Sequence, residues 1–416
     1  MGQYDRQAQS QRKHGPLPNS GAAKAPATPP LQRPQWRGQG YVKKQKPRQT
    51  TAVATKSTST VQEQRLLIDL QQLILNIFRN TFLASKDFDS WKGTLHEVNE
   101  ALLQRDLVKA FGSEEFKEGY ALRWSPSRSL VYVNVLACLC DLRQDDHWVK
   151  QLLNLDLPSK PARVVCFGGG AAEVMALAGL VRHLLPSAAG KPQQSELETS
   201  NASQVETPLL YLHLIDTADW SSVISKLETG VETPPTLSQY ASASARASNS
   251  AFLGPNGLNT TFHQVDILSL SSEDLKNTIG SEPLMITFFL TLNDLYTISI
   301  PKTTALLRKL DILAPQGSVL VVIDSIDASS SPGISNNQLK DSSDSPPPAY
   351  SMDWLLDRVL LAKPQKDNGE TEEDKEKPRW EKLTEEKMKQ HKLDETLAYP
   401  GSLENMRFQL HVFRRL

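Results

Sequence analysis

Apolar residues recur at helical spacing across residues 61–82, where Leu66, Leu70, Leu73, Ile74, Ile77 and Phe78 form one stripe. The pattern predicts an amphipathic helix. Helical text continues to about Phe116, with Trp91, Leu95, Val98, Leu102, Leu107 and Phe111 as core contacts. Arg123-Trp124-Ser125-Pro126 interrupts it. A new helix is expected near Ser127, with Pro126 suited to its first turn, running through Leu130, Val133, Leu136, Ala137 and Cys140. From Arg163 the period shortens. Apolar runs at 164–167, 209–215, 261–265, 284–290 and 319–323 read as strands, and 172–185, 301–313 and 352–361 as helices. Residues 407–413 alternate like a strand, at the sheet's edge or inserted within it. Strands and helices in alternation predict an α/β fold.

Polar, low-complexity text separates these elements near 187–207, 229–260, 327–349 and 363–377. The last is a charged linker, expected to be a solvated loop. The chain divides on this reading into a tail (1–60), a helical module (61–125) and an α/β domain (126–416) carrying the insertions. Net charge is −1 over 416 residues, so the distribution of charge matters more than its sum. Before Thr60 the basic residues, from Arg6 and Arg12 to Arg48 and Lys56, face only Asp5. That stretch has few large aliphatics and is expected to be disordered. It is a solvated arm, an import signal or an RNA contact.

Three cysteines, Cys138, Cys140 and Cys166, lie in apolar runs, the pattern of buried thiols in a reducing compartment. Histidines at no metal-ligand spacing leave no metal site to expect. No apolar run is long enough to span a bilayer or direct secretion, so a soluble intracellular protein is expected.

The chemistry concentrates at Gly168, Gly169 and Gly170, between the first strand and an apolar-periodic helix. Strand, glycine turn and helix bring backbone N–H groups against a nucleotide-like ligand, although a plain tight turn reads the same way. A dinucleotide fingerprint wants another glycine where Glu173 stands. A carboxylate in the first turn suits the zwitterionic methionine part of S-adenosylmethionine better than a pyrophosphate. Asp216 ends the second strand, placed to accept from both ribose hydroxyls, and Asp266 ends the third, placed to reach the adenine amine. Any one such Asp is also a common turn former. Thr291-Leu292-Asn293-Asp294 follows the fourth strand, and all these strand ends converge on one crevice.

The stretches GGGAAEVMALA, HLIDTADW, VDIL, TFFLTLNDLYTISIPKTTALL, GSVLVVIDS and YPGSLENMRFQLHVFRR, with RWSPSRSLVYVNVLACL upstream, resemble the fungal S-adenosylmethionine-dependent methyltransferases of large-subunit ribosomal RNA, in particular the uridine-N3 enzymes. The resemblance covers about residues 62–416 outside the insertions. It implies a class I, Rossmann-like, doubly wound and mostly parallel seven-stranded sheet with a helical N-terminal extension. It also implies cofactor contacts at Gly168, Gly170, Asp216 and Asp266, and a monomer acting on ribosomal RNA or the pre-ribosome in nucleolus, nucleus or cytoplasm. One departure stands out. Many methyltransferases carry an acidic residue just before the glycine loop, and this chain has Phe167, with Glu173 taking over part of that role.

Uracil N3–H is a weakly acidic imide, so a general base assists methylation there. Asp294 is the first candidate, with Asn293 orienting the base edge and Tyr296 or Trp124 stacking on it. The competing reading makes Asn293 and Asp294 a helix cap and Tyr296 core. A protein or small-molecule methyltransferase, and a non-catalytic RNA-binding scaffold of the same fold, are the functional alternatives.

Overall fold

Side chains of β1 (Ala162–Phe167) alternate between two cores. Val164 and Cys166 pack into the first, Val165 and Phe167 into the second. The computed structural model describes residues 66–83, 87–153, 161–190, 208–326, 351–362 and 378–416. In it β1 is flanked by β2 (Leu210–Asp216) and β4 (Met285–Phe289), both parallel to it. With β3 (Leu258–Gln264), β5 (Val319–Asp324), β6 (Trp380–His391) and β7 (Met406–Arg415) they form a seven-stranded sheet in the order β3-β2-β1-β4-β5-β7-β6. The first five strands are parallel, and β7 runs antiparallel to both β5 and β6.

Six helices precede the sheet: α1 (Ile68–Phe82), α2 (Lys92–Leu103), α3 (Leu107–Ala110), α4 (Glu114–Arg123), α5 (Ser125–Leu142) and α6 (His147–Leu152). Then come α7 (Ala171–Leu184), α8 (Ser221–Glu232), α9 (Ala243–Ala247), α10 (Ser272–Ile279), α11 (Leu292–Ile298), α12 (Ile300–Leu313) and α13 (Met352–Leu360). The stripe read in α1 is buried except at Leu73, which is exposed while its neighbour Leu75 is buried. Ile74 and Phe78 are fully buried and join α5, α7 and α8 in the first core, on one face of the sheet. Helices α10 to α13 bury Leu275, Tyr296, Leu307 and Leu356 in the second core, on the other face. The helices before β1 therefore complete the sheet's own core. Pro126 lies in the first turn of α5, where its missing N–H leaves no helical bond unmade.

The 229–260 stretch is not a free polar excursion. Helix α8 runs to Glu232, α9 caps itself with Ser242, and Ala251, Phe252 and Leu253 are buried. Strand β6 is absent from the sequence reading altogether. The basic tail, the 327–349 and 363–377 insertions and residues 191–207 lie outside the described residues. Cys140 and Cys166 are buried and Cys138 half-buried, all as free thiols. Among the described residues no helix is long and apolar enough to cross a membrane, and no cluster of side chains could hold a metal ion.

Candidate functional site

A cleft of about 570 Å³ opens at the carboxyl ends of β1, β2 and β4, beneath α3, α4 and the start of α5. Its size is that of a small-molecule site. Gly168, Gly170, Glu173, Asp216, Asp266 and Asp294 all line it. The crossing order of the sheet reverses at β1 and β4, where open α/β sheets bind ligands.

Gly168 has φ +74°, and a Cβ there would lie 2.2 Å from Thr291 Oγ1. Only glycine lets the β1 turn and the segment after β4 approach this closely. A Cβ on Gly170 would meet the Trp220 ring at 3.3 Å. Gly169 is outside the cleft lining. Its missing side chain instead makes room for Cys166 and Leu214, each within 2.7 Å of a built Cβ. Its predicted role as a cofactor contact therefore becomes one of packing under the loop.

Glu173 is buried, and its Oε2 accepts from the Gly170 N–H at 2.7 Å. Burial pushes its carboxyl up to about 7, while that hydrogen bond and the Arg128 charge pull the other way. The side chain thus fastens the glycine loop from within. Asp216 Oδ1 accepts from the Ala218 N–H at 2.7 Å, and burial raises its carboxyl to about 6. Asp266 Oδ1 accepts from the Leu268 N–H at 2.9 Å, capping a short turn at the cleft's edge. Asp294 is exposed at the cleft surface, where neighbouring protein atoms still desolvate its carboxyl and raise it, against the opposing charges of Arg105 and Arg128. Leu290, beside it, holds φ +52°, a strained conformation at the turn out of β4.

Three expectations need correction. Asn293 is turned away from the cleft: its Nδ2 donates to Asp324 Oδ1 at 2.9 Å and to the Ser325 carbonyl at 3.1 Å. Residues 293 and 294 sit a third of a helical turn apart, so only one of them faces the crevice. Tyr296 is 1% exposed within the second core and cannot stack on a base. Trp124 packs outside the cleft lining, its ring 5.4 Å from that of Tyr120. The aromatic wall of the cleft is made instead by Phe111, Tyr120 and Trp220, with ring centroids 5.0 to 5.7 Å apart. Arg128 and Tyr132, from α5, line its inner end. None of these five was singled out from the sequence as a site residue, although Trp220 sits only four positions beyond Asp216.

A family model described as "Putative SAM-dependent methyltransferase" matches residues 78–414. The chain belongs to this family. The methyltransferase is also 28% identical over 346 residues, 81% of this chain and 83% of the relative, to the 25S rRNA (uridine(2843)-N(3))-methyltransferase of Saccharomyces cerevisiae. Solved structures align less closely. A SAM-dependent methyltransferase from Methanosarcina mazei gives 10% identity over 62% of this chain and 94% of its own, with a TM-score of 0.30. A 16S rRNA (adenine(1408)-N(1))-methyltransferase variant from Catenulisporales acidiphilia gives 10% identity over 64% and 89%, also with a TM-score of 0.30.

The residues of the cleft fit S-adenosylmethionine on their own chemistry. Gly168 and Gly170 put bare backbone, with no side chain, on the cleft lining. Carboxylates end β2 and follow β3, acceptors for hydroxyl and amine donors rather than partners for phosphate. The aromatic wall offers a flat apolar surface to adenine.

Proposed function

We propose that this methyltransferase methylates N3 of a uridine in large-subunit ribosomal RNA, with Asp294 as general base. The observation that carries the proposal is the placement of a carboxylate, Asp294 in the first turn of α11, in the lining of the same cleft as the glycine turn. The choice of RNA and of uridine N3 draws on the similarity to the yeast enzyme.

S-adenosylmethionine, when bound, supplies an electrophilic methyl group on a good leaving group. The chain's own residues align the acceptor and accept its proton. The N3 lone pair of neutral uracil is delocalised, so the N3–H proton must leave as the nitrogen becomes nucleophilic. Asp294 takes that proton on a carboxylate oxygen. Asp294 is exposed to solvent at the cleft surface, yet the protein around it raises its carboxyl above the ordinary aspartate range, which strengthens it as a base. Arg105 and Arg128 oppose that rise and help keep it ionised before the reaction. Val108 and Ile298, 86% and 65% exposed, flank the cleft opening and offer an apolar rim to an incoming base. N3 lies on the Watson–Crick edge, so the uridine enters unpaired or flipped from its stack. Such a substrate places the enzyme's action with ribosome assembly, in nucleolus, nucleus or cytoplasm.

Purified protein with radiolabelled S-adenosylmethionine and separated RNA, protein and small-molecule fractions tests this reading. Label is expected in large-subunit RNA lacking the modification and lost with Asp294→Asn. Label confined to protein or small molecules would reject the RNA assignment, and cofactor binding with no transfer to any fraction would favour a non-catalytic scaffold.

A further inference from the structure

The inner end of the cleft is rich in negative charge. Glu173 lies under the glycine loop, Asp216 at the end of β2 and Asp294 beyond β4, and Arg128 projects among them from α5. Two cations line the described cleft, and they are placed differently. Lys117 donates to the backbone carbonyl of Asp219, on the β2 side near Trp220. Arg128 lies toward the glycine loop, close enough that its charge acts on both Glu173 and Asp294.

Arg128 is nevertheless ion-paired with none of these carboxylates among the described residues. Its Nη1 donates to the Tyr120 hydroxyl, and its guanidinium carbon stands 5.1 Å from the centre of that ring. The phenol fixes the side chain while leaving most of its five N–H donors unused among the described residues. The guanidinium offsets the charge of Glu173 and Asp294 at this end of the cleft. It gives the anionic group of a zwitterionic ligand a cation to meet where it would otherwise face carboxylates.

We infer that Arg128, held by Tyr120, receives the α-carboxylate of the cofactor's amino-acid end, as a two-pronged charge-assisted hydrogen bond. This rests on the family's use of S-adenosylmethionine. A planar guanidinium matches a carboxylate in both geometry and charge, which a lysine ammonium does not. The assignment also divides the labour at this end of the site: Glu173 fastens the loop and Arg128 binds the ligand. Both Tyr120, on α4, and Arg128, on α5, line the same cleft as the glycine turn.

Titration calorimetry with two ligands separates this role from a structural one. S-adenosylhomocysteine carries the amino-acid end, and 5′-methylthioadenosine lacks it while keeping the adenosine. Arg128→Met is expected to weaken S-adenosylhomocysteine about 10- to 100-fold and to leave methylthioadenosine within about twofold. Arg128→Lys keeps the charge without the fork and is expected to fall between Met and wild type for the first ligand only. It also serves as the second variant should the Met protein fold poorly. Equal weakening of both ligands, or unchanged affinity for S-adenosylhomocysteine, overturns the inference. Failure of the wild-type protein to bind either ligand would instead overturn the cofactor reading, and the inference with it.

Discussion

Replacing Gly168 by alanine should damage the site in two separable ways. The residue has φ +74°, a conformation that costs a residue with a side chain about 1–2 kcal/mol. The added Cβ would also stand 2.2 Å from Thr291 Oγ1, 2.5 Å from its Cγ2 and 2.9 Å from its Cβ, which demands movement of the segment after β4. Overpacking of this kind costs about 1–3 kcal/mol. Together the two effects predict a loss of about 2–5 kcal/mol, a large part of the stability of an ordinary domain. Urea unfolding of Gly168→Ala, Thr291→Ala and the double variant measures the parts. Thr291→Ala alone removes the hydrogen bond from its hydroxyl to the Phe289 carbonyl and should cost about 0.5–1.5 kcal/mol. In the double variant the two shortest contacts vanish while the φ cost stays, so the pair should couple by about 1–3 kcal/mol. S-adenosylhomocysteine binding should recover only in part, since the loop still starts from a disfavoured conformation. Gly168→Ala within about 0.5 kcal/mol of wild type, or additive single effects, would refute the contact of these two turns through a missing Cβ.

The buried carboxyl of Glu173 predicts a pH signature. Its value is raised from 4.5 to about 7, so its contribution to stability is fully present below about 4.5 and lost as pH rises through 7. Relative to wild type, Glu173→Gln should therefore gain stability across that window, by about 3 kcal/mol in total, and a constant difference from pH 5 to 8 would contradict it. Phe167→Asp, which restores the acidic residue common in other methyltransferases, should destabilise by about 3 kcal/mol or more without improving cofactor affinity. Phe167 is 1% exposed and stacks on Phe288 at 5.1 Å, so the new carboxylate would be buried among apolar groups. Tighter cofactor binding in that variant would show the departure to be a defect. Asn293→Ala should cost about 1–3 kcal/mol in urea unfolding, from its lost bonds to Asp324 and Ser325, and leave KM for RNA unchanged. Raised KM with unchanged stability would return Asn293 to the substrate.

The parallel half of the sheet was legible in the sequence because its strands are buried on both faces and read as continuous apolar runs, such as 164–167 and 319–323. Strand β6 was not. Its text, WEKLTEEKMKQH, is charged and rich in helix formers, and only Trp380 and His391 at its ends are buried. Pairing with β7 overrides that local preference. Its lysines also reach α13, Lys382 to Asp357 and Lys387 to Asp353, the charged dressing of an edge strand. At the site, strand ends were readable because topology alone brings them together. Asp216, Asp266 and the glycine turn needed only the rule that ligands sit at the carboxyl edge. The wall formed by Phe111, Tyr120, Arg128 and Tyr132 comes from helices before the sheet, and no local pattern announces which of their faces meets the crevice. The same blindness added Asn293 and Tyr296 to the site beside Asp294, since the orientation of α11 is set by packing on β5 and the second core.

The proposed methyl acceptor is a uridine N3 in large-subunit ribosomal RNA, with Asp294 as its base. Mass spectrometry of nucleosides from large-subunit RNA tests it directly, in cells lacking the protein and in the same cells given back the wild type or Asp294→Asn. 3-Methyluridine is expected to fall on deletion, return with the wild type and stay low with Asp294→Asn. A level of 3-methyluridine unchanged by deletion would contradict the proposal.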